Sequence, residues 1–247
     1  MSQAADKTAQ AMIKAAQKLA DDVDKLDFAQ PVTHIYNPLR YAWKPHEMYL
    51  RRYARGRKKV VFVGINPGPF GMAQSGVPFG EVAAVRDFLH IEAAVAQPPV
   101  QHPKRPIDGF ACKRSEVSGR RVWQAIAQHY ADAAHFFEQH YIANYCPLVF
   151  MQASGKNHTP DKLPKAERAA LFAACDTHLR RVVELLQPAW VIGVGKFAED
   201  RVRAALDDDK QLSVARILHP SPASPLANKG WAAAAQKTMI QLGLCAA

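Results

Sequence analysis

The sequence VVFVGINPGPFGMAQSGVPFGE, residues 60–81, decides the fold because it joins a buried strand to a rigid loop. Its first six residues carry no charge and are rich in β-branched side chains, which is typical of a strand buried on both faces. The following Asn-Pro-Gly-Pro ends the strand, because each proline removes a backbone donor and the glycine permits an otherwise costly turn. Ligands in open parallel sheets bind beyond the carboxyl ends of the strands. Asn66 is therefore either the cap of a tight turn or a residue of a binding site.

Three further apolar segments predict strands of the same kind, at residues 140–146, 190–194 and 214–218. Helical spacing of apolar side chains predicts helices over residues 12–26, 82–89, 116–130, 165–187, 197–206 and 231–242. The connections between the strands are long enough for parallel crossovers. The sequence therefore predicts an α/β fold, a three-layer α/β/α sandwich with a central four-stranded parallel sheet.

No linker or internal repeat divides the chain, so we expect one domain over residues 1–247, with residues 1–28 as an N-terminal helical extension. Residues 31–45 are rich in prolines and aromatic side chains, which predicts an ordered irregular segment lying on the core. Residues 154–160 are polar, which predicts an exposed loop.

The composition favours a polyanionic partner. The chain of 247 residues has a formal net charge of +10 and is 49% hydrophobic, so it combines a basic surface with enough apolar side chains for a substantial core. Its four cysteines form no CxxC pair, and we expect isolated thiols and no metal or cofactor. We also expect a monomer without a membrane segment or signal peptide. Its predicted place is inside the cell with the DNA, in a bacterial cytoplasm or nucleoid rather than a nucleus.

Two basic stretches are candidates for contact with a nucleic acid. Residues 51–59 contain Arg-Arg and Arg-Lys-Lys sequences and lead into the first strand, which fits a solvated helix end as well as it fits phosphate contact. Residues 97–106 form a proline-rich loop that carries Lys104 and Arg105, and cations on such a loop can reach a DNA backbone.

Asn66, Asn144 and His219 lie at or just beyond the ends of three predicted strands, so a parallel sheet gathers them at one edge. A carboxamide can pair with the N3–H and O4 of a uracil, and a histidine can stabilise the charge that develops on O2 as the glycosidic bond breaks. The other amide can hold a water near the sugar, and Phe70 or Phe79 can stack on the base. Taken singly, each residue also fits a structural role, as a turn cap, a buried histidine or a core aromatic.

Three motifs carry a resemblance to a known family: GINPGPFGMAQSGVPFGE at residues 64–81, ANYCPL at 143–148 and HPSPASPLANKGW at 219–231. With HIYNP, HPKRP, EVSG and SGKNHTP, they make residues 32–245 resemble the single-strand-selective monofunctional uracil-DNA glycosylases, leaving only the N-terminal helix outside. The resemblance implies a base-excision repair enzyme that acts on single- and double-stranded DNA. Such an enzyme flips out uracil or oxidised pyrimidines such as 5-hydroxymethyluracil and hydrolyses the N-glycosidic bond, leaving an abasic site without strand cleavage. No cofactor is implied.

The resemblance also implies roles for individual residues. Asn66 would position the attacking water, and His219 would support the departing uracil anion. Phe79 would stack on the base, and Asn144 would read its pairing edge. The backbone around Gly68 and Met72, in the loop after the first strand, would line the C5 side of the base. The implied substrate-binding residues are Ile65, Gly68, Met72, Phe79 and Asn144.

The segment after His219 resembles the wedge with which this family enters a duplex. Its expected DNA-contacting residues are Pro220, Ser221, Pro222, Ala223, Ser224 and Lys229. The family pattern has an arginine immediately after HPSP, whereas this chain has Ala223 followed by Ser224. We therefore expect a larger preference for single-stranded DNA than an arginine-bearing relative would show.

Two other functions fit parts of the sequence. A non-catalytic module that binds damaged DNA would keep the pocket without turnover. A nucleoside N-glycosidase would act on free nucleosides, but a free nucleoside offers no backbone for the basic stretches to neutralise.

Overall fold

A computed structural model of the chain describes residues 3–207 and 211–245. The strands are β1 Val32–Tyr36, β2 Val60–Gly64, β3 His140–Asn144, β4 Val149–Gln152, β5 Asn157–His158, β6 Trp190–Val194 and β7 Ser213–Ile217. The α-helices are α1 Gln3–Val23, α2 Pro38–Tyr41, α3 Trp43–Tyr53, α4 Met72–Ser75, α5 Val82–Asp87, α6 Val117–His129, α7 Ala133–Gln139, α8 Lys165–Leu186, α9 Lys196–Ala205, α10 Pro225–Asn228 and α11 Trp231–Gln241. Short 3₁₀ turns lie at Gly109–Ala111 and Pro160–Lys162.

The central sheet has four parallel strands in the order β3-β2-β6-β7, which confirms the predicted α/β fold. Val60 pairs with both His140 and Trp190, and Val191 pairs with Val214. In β2, three valines are completely buried, as expected for a strand covered on both faces. The parallel register brings the carboxyl ends of all four strands to one edge.

A second, antiparallel sheet of order β1-β4-β5 was not predicted. The expectation of an irregular segment at residues 31–45 is wrong, because this stretch contains β1, α2 and the start of α3. The expectation of an exposed loop at 154–160 is also wrong, because it contains β5, in which His158 is buried. Strands β1 and β5 both pair with β4. Strand β1 is more than a hundred residues away from β4 in the chain.

Helix α1 contributes an apolar face to the core. Met12, Ile13, Ala16 and Leu19 are each at most 5% exposed, and the helix packs against α8 and α3. The facing side of α8 follows the predicted helical spacing, with buried side chains at Leu171, Cys175, Leu179, Val182, Val183 and Leu186. The apolar periodicity therefore indicated correctly which faces of these two helices are buried.

The basic residues 51–59 lie before the start of β2, at the edge of the sheet opposite Asn66. Their side chains bind groups of the protein itself: Arg51 pairs with Glu47, Arg52 donates to the carbonyls of Leu89 and His90, Arg57 donates to Gln187, and buried Lys58 donates to the carbonyl of Phe137. These contacts attach α3 and β2 to the rest of the protein. Because residues 51–59 lie at the edge of the sheet opposite Asn66, their position does not support phosphate contact near the carboxyl ends of the strands.

Cys112, Cys146, Cys175 and Cys245 are all free thiols. Cys146 and Cys175 are both buried and lie within hydrogen-bonding distance of each other, and burial raises the pKa of Cys175. Over the described ranges, no helix is both long and apolar enough to cross a membrane.

Candidate active site

Asn66 lies in the loop after β2, and a hydrogen bond to Leu148 holds its side chain in one orientation. The Nδ2 amide donates to the carbonyl of Leu148 at 3.0 Å, which leaves Oδ1 as the group available to a ligand. The loop itself is closed by Gly68, whose carbonyl accepts from the backbone N–H groups of Gly71 and Ala73. Asn66 is partly buried, so it remains accessible at the edge of the sheet.

Asn144 ends β3 directly beside Gly64, its partner in the parallel register. Its Nδ2 donates to Sδ of Met72 at 3.2 Å, which links the strand end to the first helical turn after the loop. Beyond the strand, the N–H of Cys146 donates to the carbonyl of Ile65 at 2.9 Å. Ile65, Met72 and Asn144 are therefore neighbours, as the site prediction requires.

Phe79 is fixed by its backbone rather than by deep burial. Its φ of 52° lies in the left-handed region, and its carbonyl accepts from Nε1 of Trp123 at 2.9 Å. The ring lies next to Gly64: a Cβ at Gly64 would be 2.6 Å from Cε2 of Phe79 and 2.5 Å from Oδ1 of Asn144. Because glycine has no Cβ, position 64 leaves space for both the Phe79 ring and the Asn144 carboxamide beside the backbone.

His219 follows β7, and a backbone hydrogen bond defines the tautomer of its neutral imidazole. The backbone N–H of Ser221 donates to Nδ1 at 3.1 Å, so in the neutral ring Nε2 carries the proton. Burial lowers the pKa of His219, which favours the uncharged form. Close approach of the strand ends requires Gly195, since a Cβ there would be 3.0 Å from Cβ of His219.

The structure places Asn66, Met72, Phe79 and Asn144 around the ends of β2 and β3, and His219 at the end of β7. Only β6 separates β2 from β7, so the carboxyl ends of these two strands are about 10 Å apart, and the end of β3 lies one strand further away. All five residues therefore lie along one edge of the sheet.

The wedge segment is held from one side by Arg121 of α6. Its guanidinium donates to the carbonyls of Pro220 at 2.9 Å and Ser221 at 3.4 Å, and to Oδ1 of Asn228 at 2.8 Å. Ser224 caps α10 by accepting from the N–H of Ala227. The remaining wedge residues are exposed on this braced loop: Pro222, Ala223 and Lys229.

Comparison with known proteins identifies the family of this site. The uracil DNA glycosylase superfamily model matches residues 51–239. The single-strand selective monofunctional uracil-DNA glycosylases of Rattus norvegicus and Mus musculus are each 47% identical over 237 residues, which cover 96% of this chain and 85% of each relative. The chain belongs to this glycosylase family. The alignment omits only about ten residues of the chain, so it reaches into α1, which we expected to lie outside the resemblance.

A solved structure supports the fold of this glycosylase. The crystal structure of SMUG2 from Pedobacter heparinus matches with a TM-score of 0.67 and covers 93% of this chain and 97% of that one. At 19% identity, the likeness concerns the fold alone.

Three residues that sequence reasoning did not select support the glycosylase site. Arg121 braces the wedge, Trp123 holds the carbonyl of Phe79, and Glu116 caps α6 by accepting from the N–H groups of Ser118 and Gly119. Glu116 also lies against the first loop, and burial raises its pKa. The EVSG motif was a signal for Glu116, but no local pattern indicates the contacts of Arg121 and Trp123.

Within residues 3–207 and 211–245, no group of three or more His, Cys, Asp or Glu side chains is arranged to hold a metal ion.

Proposed function

We propose that this uracil-DNA glycosylase removes uracil and oxidised pyrimidines such as 5-hydroxymethyluracil from DNA by hydrolysis. The products are the free base and an abasic site in an uncut strand. The observation that carries the proposal is the hydrogen bond from Ser221 to Nδ1 of His219, which leaves the proton of the neutral ring on Nε2, in a residue that follows a strand of the same sheet as Asn66 and Asn144.

The reaction needs a water, a leaving base and a stabilised anion. The N1–C1′ bond breaks with its electron pair moving onto the uracil, where negative charge spreads to O2. The Nε2–H of His219 donates to that oxygen, and one such donor contributes about 3–4 kcal/mol of barrier lowering. Oδ1 of Asn66, left free because Nδ2 is bound to Leu148, accepts a hydrogen bond from the water whose oxygen bonds to C1′. That water keeps one proton as the new C1′ hydroxyl group, and its other proton is finally taken up by the departing base.

Asn144 reads the pairing edge. Its Oδ1 accepts from N3–H and its Nδ2 donates to O4, a pair that cytosine does not offer. In the free protein Nδ2 donates to the sulfur of Met72, which is a weak acceptor, so exchanging this bond for one to O4 costs little. Phe79 supplies the face on which the flipped base stacks.

The C5 side of the base meets Gly68 and Met72. Met72 is flexible and polarizable, and Gly68 presents its backbone without a side chain, so a hydroxymethyl group can be accommodated and find polar partners there. Because the residues assigned to the base pocket carry amides, an imidazole and apolar side chains but no amine, we expect no amine-dependent elimination to follow hydrolysis, and the strand stays uncut.

We also propose that the protein works as a monomer inside the cell, on both single- and double-stranded DNA. Its net charge of +10 supports binding to the DNA backbone.

The test is an excision panel of uracil, 5-hydroxymethyluracil, hypoxanthine and thymine in single- and double-stranded oligonucleotides, with EDTA present and with alkali to reveal abasic sites. The wild type should release uracil and 5-hydroxymethyluracil, and strand breaks should appear only after alkali. Asn66→Ala and His219→Ala should each lower the rate by about a hundredfold or more while the melting temperature stays close to that of the wild type. Binding to uracil DNA without any abasic product would instead select the non-catalytic module.

A further inference from the structure

A group of cations surrounds Phe70, which lies in the first loop but outside the proposed catalytic set. We define the Phe70 cluster as Phe70, Lys104, Arg105, Lys113 and Arg114. The guanidinium carbon of Arg114 lies 4.0 Å from the centroid of the Phe70 ring, and that of Arg105 lies 5.4 Å from it. Stacking on an aromatic ring orients a guanidinium while its N–H donors stay available.

The cations of the Phe70 cluster make no close ion pair within the described part of the chain, although Asp108 lines the same cavity as three of them. Among the ion pairs of residues 3–207 and 211–245, none involves Lys104, Arg105, Lys113 or Arg114. In addition, Nε of Arg105 is buried without a hydrogen-bond partner. Such an arrangement of positive charge attracts an anionic ligand.

The loop that carries Lys104 and Arg105 is rigidly attached. His102 is 1% exposed; its Nε2 contacts the carbonyl of Gln152 at 3.1 Å, and its Nδ1 accepts from the N–H of Lys104. Tyr36 donates its hydroxyl to the carbonyl of Arg105 at 2.8 Å. The cations are therefore presented on a preorganised loop, which lowers the entropy lost on binding.

The Phe70 cluster is tied to the active-site loop. Gln74 donates to the carbonyls of Pro69 and Pro106, both at 3.0 Å, and so joins the two loops next to Phe70. Beside this junction is a surface cavity of about 330 Å³, which Phe70, Lys104, Lys113 and Arg114 line together with Pro106, Asp108, Ala111 and Cys112. Phe70 is four residues after Asn66 and two before Met72, so the cluster includes a residue of the same loop that carries the residues assigned to the base.

We propose that the Phe70 cluster is a backbone-binding subsite, which holds the phosphodiesters of the substrate strand next to the flipped nucleotide. This inference rests on the proposed function, because it takes the ligand to be the strand that delivers its base to the Asn66 loop. A basic groove with an aromatic side chain is the arrangement that tracks a single strand without reading its sequence. The subsite contributes to affinity and leaves the chemical step unchanged.

The test measures binding of a fluorescein-labelled single-stranded oligonucleotide without uracil, over a series of salt concentrations. The variant is Arg105→Gln with Arg114→Gln, and the matched control is Lys14→Gln with Lys237→Gln, two exposed lysines on α1 and α11. The cluster variant should bind about tenfold more weakly and lose about 0.7 from the slope of log K against log salt for each phosphate contact removed. The control should change affinity less than about twofold.

Two further measurements separate the subsite from a folding defect. On uracil-containing single strands, the cluster variant should show a raised KM with an unchanged kcat and melting temperature. Phe70→Leu keeps all four charges but removes the ring, and should also weaken binding. Equal affinity and equal salt slope for the cluster variant and the control, or wild-type affinity for Phe70→Leu, would overturn the proposal. If the wild type forms no abasic product, the proposed function fails, while the binding experiment still reports on the subsite.

Discussion

The backbone N–H of Ser221 donates to Nδ1 of His219 at 3.1 Å, and this one bond fixes where the imidazole carries its proton. Because a backbone N–H can only donate, Nδ1 must be the acceptor, and the neutral ring then carries its proton on Nε2. The first turn of the wedge loop therefore sets the tautomer of His219, and we propose that the tip of the same loop enters DNA.

The pH dependence of excision should follow the titration of His219. Burial lowers its pKa below the usual value of 6.5, so the neutral, active ring persists as the pH falls through 6.5 and is lost only at lower pH. We expect single-turnover rates to be constant from about pH 8 to about pH 6.5 and to decline below that, with an apparent pKa under 6.5.

His219→Gln is the informative variant for this profile. Glutamine retains an amide donor but does not titrate, so its rate should be low and free of the acid limb assigned to histidine. Circular dichroism at each pH controls for unfolding. An acid limb with an apparent pKa above 6.5 in the wild type, or the same limb in His219→Gln, would contradict the assignment.

Gly64→Ala should damage the base pocket more than the fold. The added methyl would lie 2.5 Å from Oδ1 of Asn144 and 2.6 Å from Cε2 of Phe79, so both side chains must move. We expect kcat/KM for uracil to fall by about a hundredfold, because displacement of about an ångström from the productive geometry has effects of that size.

Gly56→Ala is the matched control for this change. Gly56 has a φ of 62° and open space where a Cβ would be, so alanine there adds backbone strain without touching the pocket. It should lower the melting temperature and leave kcat/KM near the wild-type value. If Gly64→Ala loses no more activity than Gly56→Ala, the contact between the two pocket side chains and Gly64 is not important for excision.

Much of this architecture could be predicted from the sequence because it is local. Strand β6 was predicted at its observed bounds, and the other three parallel strands within two residues, since uninterrupted apolar runs ended by Pro or Gly have few alternative structures. Parallel pairing then placed Asn66, Asn144 and His219 at one edge. The antiparallel sheet was missed although its segments contain strand-forming residues, because both are short and lie next to prolines, and the pairing of His34 with Met151 joins positions more than a hundred residues apart.

Arg121→Gln should loosen the wedge loop more than it disturbs the base pocket, because its hydrogen bonds go to Pro220, Ser221 and Asn228. The arginine makes three charge-assisted hydrogen bonds to the loop, each worth about 1.5–3 kcal/mol, and glutamine cannot replace them all. We expect kcat/KM to fall by about tenfold on single strands and further on duplexes, where the wedge must hold its shape against the base stack.

The neighbouring residue provides the control for Arg121. Arg120 is exposed and donates only to Oγ of Ser115 at 3.4 Å, so Arg120→Gln removes the same charge from the same helix without touching the wedge. Rates on both substrates should stay within about twofold of the wild type. Equal losses for Arg120→Gln and Arg121→Gln would show that charge, not bracing of the loop, matters.

Ala223→Arg should increase activity on duplex DNA relative to single strands. Ala223 is exposed, and its N–H donates to Oγ of Ser221 at 3.1 Å, so the backbone at this position is already fixed and an arginine side chain would project from a braced loop. Opening a duplex costs a few kcal/mol of unstacking, which a bulky cation can offset by filling the vacated stack and contacting phosphate. The wild-type methyl group can do neither.

The measurement is the ratio of single-turnover rates on matched single- and double-stranded uracil substrates at one salt concentration. The wild type should prefer the single strand, and Ala223→Arg should reduce that preference by about tenfold, chiefly by raising the duplex rate. Ala223→Gln, which adds length without charge, separates plugging from phosphate contact. Since Ala223 lies outside the base pocket, the single-strand rate should be the same in all three proteins. If the wild type excises uracil from both substrates at equal rates and Ala223→Arg changes neither rate, residue 223 does not control entry into the duplex.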